Sequence, residues 1–413
     1  MGPFRTVAAL VAAQTTLQIA GGLFGVWLPL VMHGRGFSET GIGLVAAAYS
    51  VGFMAGAWFS PMALARIGHI RAFAACAAIC CVTALALYPV DHALLWALNR
   101  ALFGAAIAML FAAAESWMTS VTPKERRGDI LGFYLLCTKV ALAAGPFMIG
   151  EAARDPGAAW PFMLAAGLFA LALIPVTATS QAQPQPPKAA PIALRRLWGL
   201  APAAVASAFM AGLINAGVMS LSPLWAQARA GPEAAALFQA AAWIGSLFVQ
   251  WGAGKVSDQI DRRLVIAILA GGSAVFAGAL ALAPADLPFF WACVLFGLWG
   301  AGSLSFYGIA VAHMADRAEP GEMAGATAGL LFVWAIGSVI GPAVAGALME
   351  HLFGPPALFA VACAGGVALA AFLVARIRGR PAADPAEKGP FRPAQTTSVA
   401  QGELLAGKEK PGA

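Results

Sequence analysis

The sequence predicts an all-α polytopic membrane protein with twelve transmembrane helices in two pseudo-symmetric six-helix bundles. Three observations carry this reading. Of 413 residues, 60% are hydrophobic and 11% charged, with a mean hydropathy of +0.78, against roughly 25% charged residues in a soluble domain. At about 20 apolar residues per span, the roughly 250 available supply about a dozen spans and leave little for a globular domain. The apolar residues fall in twelve runs separated by short polar breaks. The two halves also repeat each other at an offset of about 196 residues, pairing Leu102-Phe103-Gly104 with Leu298-Trp299-Gly300, Met118 with Met314, Gly145-Pro146 with Gly341-Pro342, and Gly150 with Gly346. A soluble enzyme, a DNA-binding protein and a disordered scaffold are excluded on composition.

Taken in order, the first run follows Arg5 and continues to about Met32. It is longer than a signal-peptide core and has no obvious cleavage site, so it is expected to stay as span one. Runs at about 39–64, 72–90, 93–119, 129–150 and 157–176 complete an N-terminal bundle over 1–176. Residues 177–197, rich in Pro, Gln and Ala and ending near Arg195-Arg196, read as a flexible linker. Runs at about 199–228, 234–254, 264–284, 287–312, 323–349 and 354–376 form a second bundle over 198–379. The polar tail 380–413, rich in Pro, Gly and Lys, is expected to be disordered. Pro29 and Pro342 are expected to permit bending within their spans.

The net charge of +6 would raise the question of nucleic acid in a soluble chain. Here its distribution reads as topology, and no nucleic-acid partner is expected. With the N-terminus inside, Arg5, Arg66, Arg71, Lys124, Arg126, Arg127, Lys188, Arg195, Arg196, Lys255, Arg262, Arg263, Arg317 and the cations from Arg376 onward are cytoplasmic. Only Arg35, Arg154 and Arg229 fall outside. That asymmetry predicts both termini in the cytoplasm of a multi-pass inner-membrane protein. The six cysteines sit inside apolar runs without CxxC or Cys/His spacing and are expected to pack as small hydrophobes.

Internal duplication in such a protein is the pattern of alternating-access carriers, in which two bundles rock about a site at their interface. Two loops stand at equivalent places in the halves, Arg66-Ile67-Gly68-His69-Ile70-Arg71 and Gly254-Lys255-Val256-Ser257-Asp258-Gln259-Ile260-Asp261-Arg262-Arg263. The second resembles the G-x-L-x-D-R-x-G-R-R loop of the major facilitator superfamily. Asn99-Arg100-Ala101-Leu102-Phe103-Gly104 is similar to that family's R-x-x-x-G signature on span four, and Gly145-Pro146 to the Gly-Pro motif of its drug/proton antiporters. More narrowly, Glu115-Ser116-Trp117, Arg126-Arg127-Gly128, Tyr134 and Gln250-Trp251 resemble the YcaD-like branch. The resemblance implies the major facilitator fold, and a cytoplasmic latch in which Asp258 meets loop arginines and a neighbouring helix end. Arg66, Arg71, Arg262, Arg263, Gly145, Pro146, Gly341 and Pro342 are the other expected gating residues. In the first loop Ala65 stands at the Asp position and Pro61 at the first Gly position, so the latch is placed on Asp258 alone.

Ionisable groups within spans are expensive and become functional candidates. Arg100 lies in the outer half of span four, Lys139 near the middle of span five, and Glu115 about two turns from the cytoplasmic end of span four. Two deep cations without a deep carboxylate beside them imply an anionic or carboxylate-bearing substrate. Arg100 is expected to bind or couple, Lys139 to bind unless it has a structural partner, and Glu115 to carry a proton or pair with a loop arginine. Gln14 and Gln18, four apart and so on one helical face, join Asn215, Tyr307, Trp243 and Trp334 as expected cavity residues, each equally able to serve helix packing.

No G-x-S-x-G, HExxH or clustered histidine is present, and no cofactor or metal is expected. The expected function is secondary transport of a small organic solute by a monomer in the lipid bilayer, proton-coupled and directed to efflux by the span-five analogy. Two alternatives stay open: a multidrug-type antiporter for lipophilic cations or neutral compounds, and a sensor that kept the fold but lost transport.

Overall fold

The computed structural model describes residues 3–122, 126–178, 193–319 and 322–379, together with Lys388, Gly389, Phe391 and Ala394. Lys124, Lys188, most of the linker and most of the tail lie outside the described residues, as do the side chains of Arg5 and Arg127. Among the described residues there is no strand, and twelve helices are long and apolar enough to cross a membrane. They are Val7–Gly34, Glu39–Ile67, His69–Ala86, Ala93–Val121, Asp129–Arg154 and Trp160–Thr177 in the first half. Pro202–Ala230, Ala234–Gln259, Arg262–Ala281, Phe289–Ala315, Met323–Phe353 and Ala357–Gly379 form the second. We number them spans one to twelve. The chain is an all-helical, multi-pass membrane protein.

Between apolar helices in lipid there is little hydrophobic drive, so close backbone approach through small residues supplies the packing. The repeated glycines sit at these crossings. A Cβ on Gly104 would lie 2.2 Å from the Tyr49 carbonyl oxygen, and one on Gly300 would lie 2.4 Å from that of Ala242. Span four thus crosses span two as span ten crosses span eight. A Cβ on Gly145 would lie 2.2 Å from Ile19 O, and one on Gly341 would lie 2.0 Å from Leu213 O. Spans five on one and eleven on seven form the matching pair, so the sequence repeat is a repeat of helix crossings.

With twelve spans both ends of the membrane region and the linker share one face, here the terminal face. The hydrophobic core is not symmetric between faces. One continuous cluster joins the first half to Ile214, Leu221, Trp225, Ala345 and Met349, residues of spans seven and eleven remote from the terminal face. The terminal part of the second half forms its own cluster, including Ala204, Ile266, Phe306 and Leu330. The halves therefore share a core at the opposite face and separate toward the terminal one. A seam between spans two and eleven closes the opposite face. A Cβ on Gly43 would lie 2.3 Å from Pro342 O, one on Gly346 would lie 2.4 Å from Glu39 O, and Thr40 N donates to Glu350 Oε2 at 3.0 Å.

The three cations of that face are ties. Arg35 donates to Pro156 O, Val90 O and Asp91 Oδ1, binding three loops of the first half. Arg229 donates to Pro284 O and lies over Trp225 in the second half, and Arg154 pairs with Glu233 across the halves at 2.8 Å.

Three local features were not expected. Span five passes from α-helix to a 3-10 helix at Gly145–Arg154, because Pro146 lacks the N–H that an α-helical turn would use. The end of the linker folds into a short helix, Leu194–Leu200, with Leu197 buried against Gly329 and Arg196 paired with Glu322. The linker boundary at 197 thus falls inside a helix, which ends where Ala201 leaves helical geometry and Pro202 starts span seven. The expectation of a tail without structure fails at Lys388, Gly389, Phe391 and Ala394. All four pack on the second half: backbone groups of Gly389 and Phe391 meet Arg262, Asp316 and Asp258, Lys388 Nζ donates to Ile260 O, and Ala394 joins the apolar cluster there.

Candidate substrate cavity and gate

A cavity of about 380 Å³ lies between the halves. On span one its lining runs from Leu17 to Met32, and it takes in spans two, four, five, seven, eight, ten and eleven. Gln18, Arg100, Lys139, Asn215, Tyr307, Trp243 and Trp334 all line it. Gln14 does not. The four-residue spacing puts it on the Gln18 face, but one turn nearer the termini than the cavity reaches. There it is buried, with neither side-chain polar atom partnered among the described residues.

Arg100 is held by faces of rings. Its guanidinium carbon lies 4.7 Å from the Tyr49 ring centre and 4.4 Å from that of Phe103, while Nη1 is buried without a hydrogen-bond partner. Cation–π contact of a desolvated guanidinium is worth about 2 kcal/mol, but it leaves the planar donor fork unused. Lys139 Nζ donates to Ser246 Oγ across the halves at 2.8 Å, and that hydroxyl donates in turn to Trp243 O. Among the described residues neither cation has a carboxylate partner, and the remaining wall is largely aromatic and aliphatic.

Two of the neutral polar groups, Asn215 and Gln239, are already engaged. Asn215 exchanges bonds with Ser303, giving Nδ2–H to its carbonyl at 3.0 Å and accepting its hydroxyl at 2.6 Å. Gln239, absent from the sequence reading, accepts from Ser222 and donates to Met219 O, bridging spans seven and eight in the wall. Tyr49 was also missed. Phe103 is one turn from Arg100 on the same span and could have been paired by spacing, whereas no local signal joins Tyr49 on span two to Arg100.

Glu115 lies outside the cavity lining, fully buried, and accepts from Tyr134 Oη–H at 2.9 Å. It stands 15 residues beyond Arg100 on span four, about 22 Å at the helical rise.

At the terminal face of the second half, Arg262 is 1% exposed and forms the centre of a charged cluster. It bonds Asp258 Oδ1 at 2.9 Å, Asp316 Oδ2 at 2.6 Å and Ser257 Oγ at 2.7 Å, and gives its remaining donor to Gly389 O. The second oxygen of Asp258 accepts from Phe391 N at 2.9 Å, so the tail stands where a helix end was expected. Arg263 is clamped by Asp261, which caps span nine through Arg263 N. Burial works against the Asp261 carboxylate, but the bonds from the Arg263 side chain and backbone outweigh it and hold its pKa below the usual range. Among the described residues Arg66 and Arg71 are exposed and in no ion pair, and His69, in the register of Arg262, hydrogen-bonds to Ser116 Oγ at 3.0 Å. Gly145 and Gly341 serve helix crossings, and Pro342 belongs to the opposite-face seam.

The family profile of the Major Facilitator Superfamily matches residues 10–334 and 253–408. Among curated proteins, the "Uncharacterized MFS-type transporter YcaD" of Salmonella dublin is 23% identical over 357 residues, covering 84% of this chain and 90% of its own length. The YcaD protein of Salmonella typhimurium LT2 gives the same figures. Among solved structures, the nucleoside transporter NupG superposes with a TM-score of 0.71 at 13% identity, over 90% of this chain and 99% of that one. A bacterial homologue of the lysosomal transporter Spinster gives 0.68 at 17% identity over 98% of both chains. The chain belongs to the major facilitator superfamily, as a YcaD-like transporter and not an enzyme.

Proposed function

We propose that the chain exports a small organic anion, a carboxylate on an apolar body, by alternating access coupled to protons. The observation that carries this reading is Arg100, whose charge faces the cavity between two rings with a donor left open. Lys139 adds a second cation, and Phe53, Phe111, Trp243 and Trp334 supply the apolar wall. An anion bonded to Arg100 satisfies donors that the protein leaves unused. A lipophilic cation would meet like charge. The positive charge of the terminal face supports a cytoplasmic placement of both termini. The cavity then faces the cytoplasm, with the opposite face sealed at the seam. Gly145-Pro146 supports exchange for protons, and Glu115 is the proposed proton carrier because it is the one carboxylate buried deep in the described part of span four.

Flux of 2-naphthalenesulfonate, permanently charged, measured in proteoliposomes under an imposed pH gradient, tests the reading. Arg100→Gln is expected to abolish saturable flux. Glu115→Gln is expected to leave binding within about twofold and to abolish acceleration by the gradient, since only the coupled step needs its proton. Equal flux with and without the gradient in the parent protein would remove proton coupling. Binding without any flux would identify a sensor.

A further inference from the structure

The second half carries a built groove at the terminal face whose bottom is Gly254. The nearest atoms to a Cβ built there are the Phe391 ring, the closest at 2.1 Å, so the ring occupies space that only glycine leaves open. Polar contacts flank it on both sides. Lys388 Nζ donates to Ile260 O at 2.7 Å, Gly389 N to Asp316 Oδ1 at 3.1 Å, Phe391 N to Asp258 Oδ2 at 2.9 Å, and Arg262 to Gly389 O. Asp258 Oδ2 and Asp316 Oδ1 thus accept from backbone amides of the tail while Asp258 Oδ1 and Asp316 Oδ2 pair with Arg262. Three residues on, Ala394 is 4% exposed, packs against Gly308, accepts from Gln250 and lines the central cavity.

We propose that this groove is a binding site for the chain's own tail residues Lys388, Gly389, Phe391 and Ala394, which plug the terminal mouth of the cavity. Backbone recognition by paired carboxylates fixes their register, the Phe391 ring anchors them over Gly254, and Ala394 reaches the lining. Because the seam of spans two and eleven closes the opposite face, access to the cavity from the terminal face requires these residues to leave. The plug and the substrate reading are separate: it bars any solute, whatever its charge.

The test uses the full-length protein in detergent with a reporter thiol, Ser220→Cys, on the cavity wall. The six native cysteines lie outside the cavity lining and set the background. Labelling by a charged methanethiosulfonate is compared with and without Phe391→Glu, and independently with Gly254→Leu, which fills the anchor pocket from the other side. Both are expected to accelerate labelling about fivefold or more, as loss of a modest docking energy shifts the docked population by such a factor. Hydrogen exchange reads the tail directly, and the amides of Gly389 and Phe391 should be protected in the parent and lose protection in both variants. Unprotected tail amides in the parent would overturn the docking. Protected amides with unchanged labelling in both variants would overturn the plug.

Discussion

At Arg100 the geometry separates charge from shape. A lysine would keep the charge but lose the planar stack between Tyr49 and Phe103 and the free fork. Arg100→Lys is therefore expected to weaken binding of 2-naphthoate about tenfold or more, nearly as much as Arg100→Gln, by tryptophan-quenching titration. Retained affinity in the lysine variant would reduce the site to a point charge. Asp261 gives a second residue-level test outside the membrane. Its folded pKa is depressed, so the stability it adds is complete above the unfolded carboxylate value of about 3.9 and is lost as pH falls through the folded value. Between pH 5 and pH 3 the parent should lose more thermal stability than Asp261→Asn, and parallel curves would show that the clamp on Arg263 adds nothing. Arg100 and Lys139 were legible in the sequence because charge is scarce and costly in lipid. Tyr49 was not, since its role arises from a helix crossing some 50 residues away in sequence. Gln14 misled because helical spacing fixes a face but not the depth at which a cavity stops.

Among the elements, the twelve spans were readable to within a few residues because each is a long apolar run ended by charge or proline. What escaped was where backbone groups meet particular partners: the 3-10 turn after Gly145, the helix Leu194–Leu200, and the docked tail residues. Each depends on a contact made in three dimensions. The repeated glycines were legible as a repeat, and the structure gives each its crossing. At the seam, Gly43→Leu cannot be accommodated against the Pro342 carbonyl without parting spans two and eleven. Overpacking of this kind costs about 1–3 kcal/mol. The substitution should expose the opposite face, and a thiol at Ser50→Cys should then react faster with a reagent added on that side. Unchanged reactivity would show that the seam is not the closure.

On the scale of the molecule, two bundles with matching crossings carry unequal terminal faces. The first half has Ala65 at the Asp position and a His69–Ser116 hydrogen bond, and the second gathers Asp258, Arg262 and Asp316 and binds the tail. The sequence announced this asymmetry through Ala65 and Pro61, which stand where the second loop has Asp258 and Gly254. The cavity between the bundles is cationic and apolar, and that combination is the centre of the functional account. The measurement that addresses it most directly is thermal stabilisation of the purified full-length protein by three ligands with one apolar body: 2-naphthoate, 2-naphthylmethylamine and 2-naphthalenemethanol. A ligand bound at 100 times its Kd stabilises by about 2.7 kcal/mol. The account predicts a rise in Tm with naphthoate alone, lost in Arg100→Gln. Equal stabilisation by the amine or the alcohol, or a naphthoate shift that survives Arg100→Gln, would contradict it.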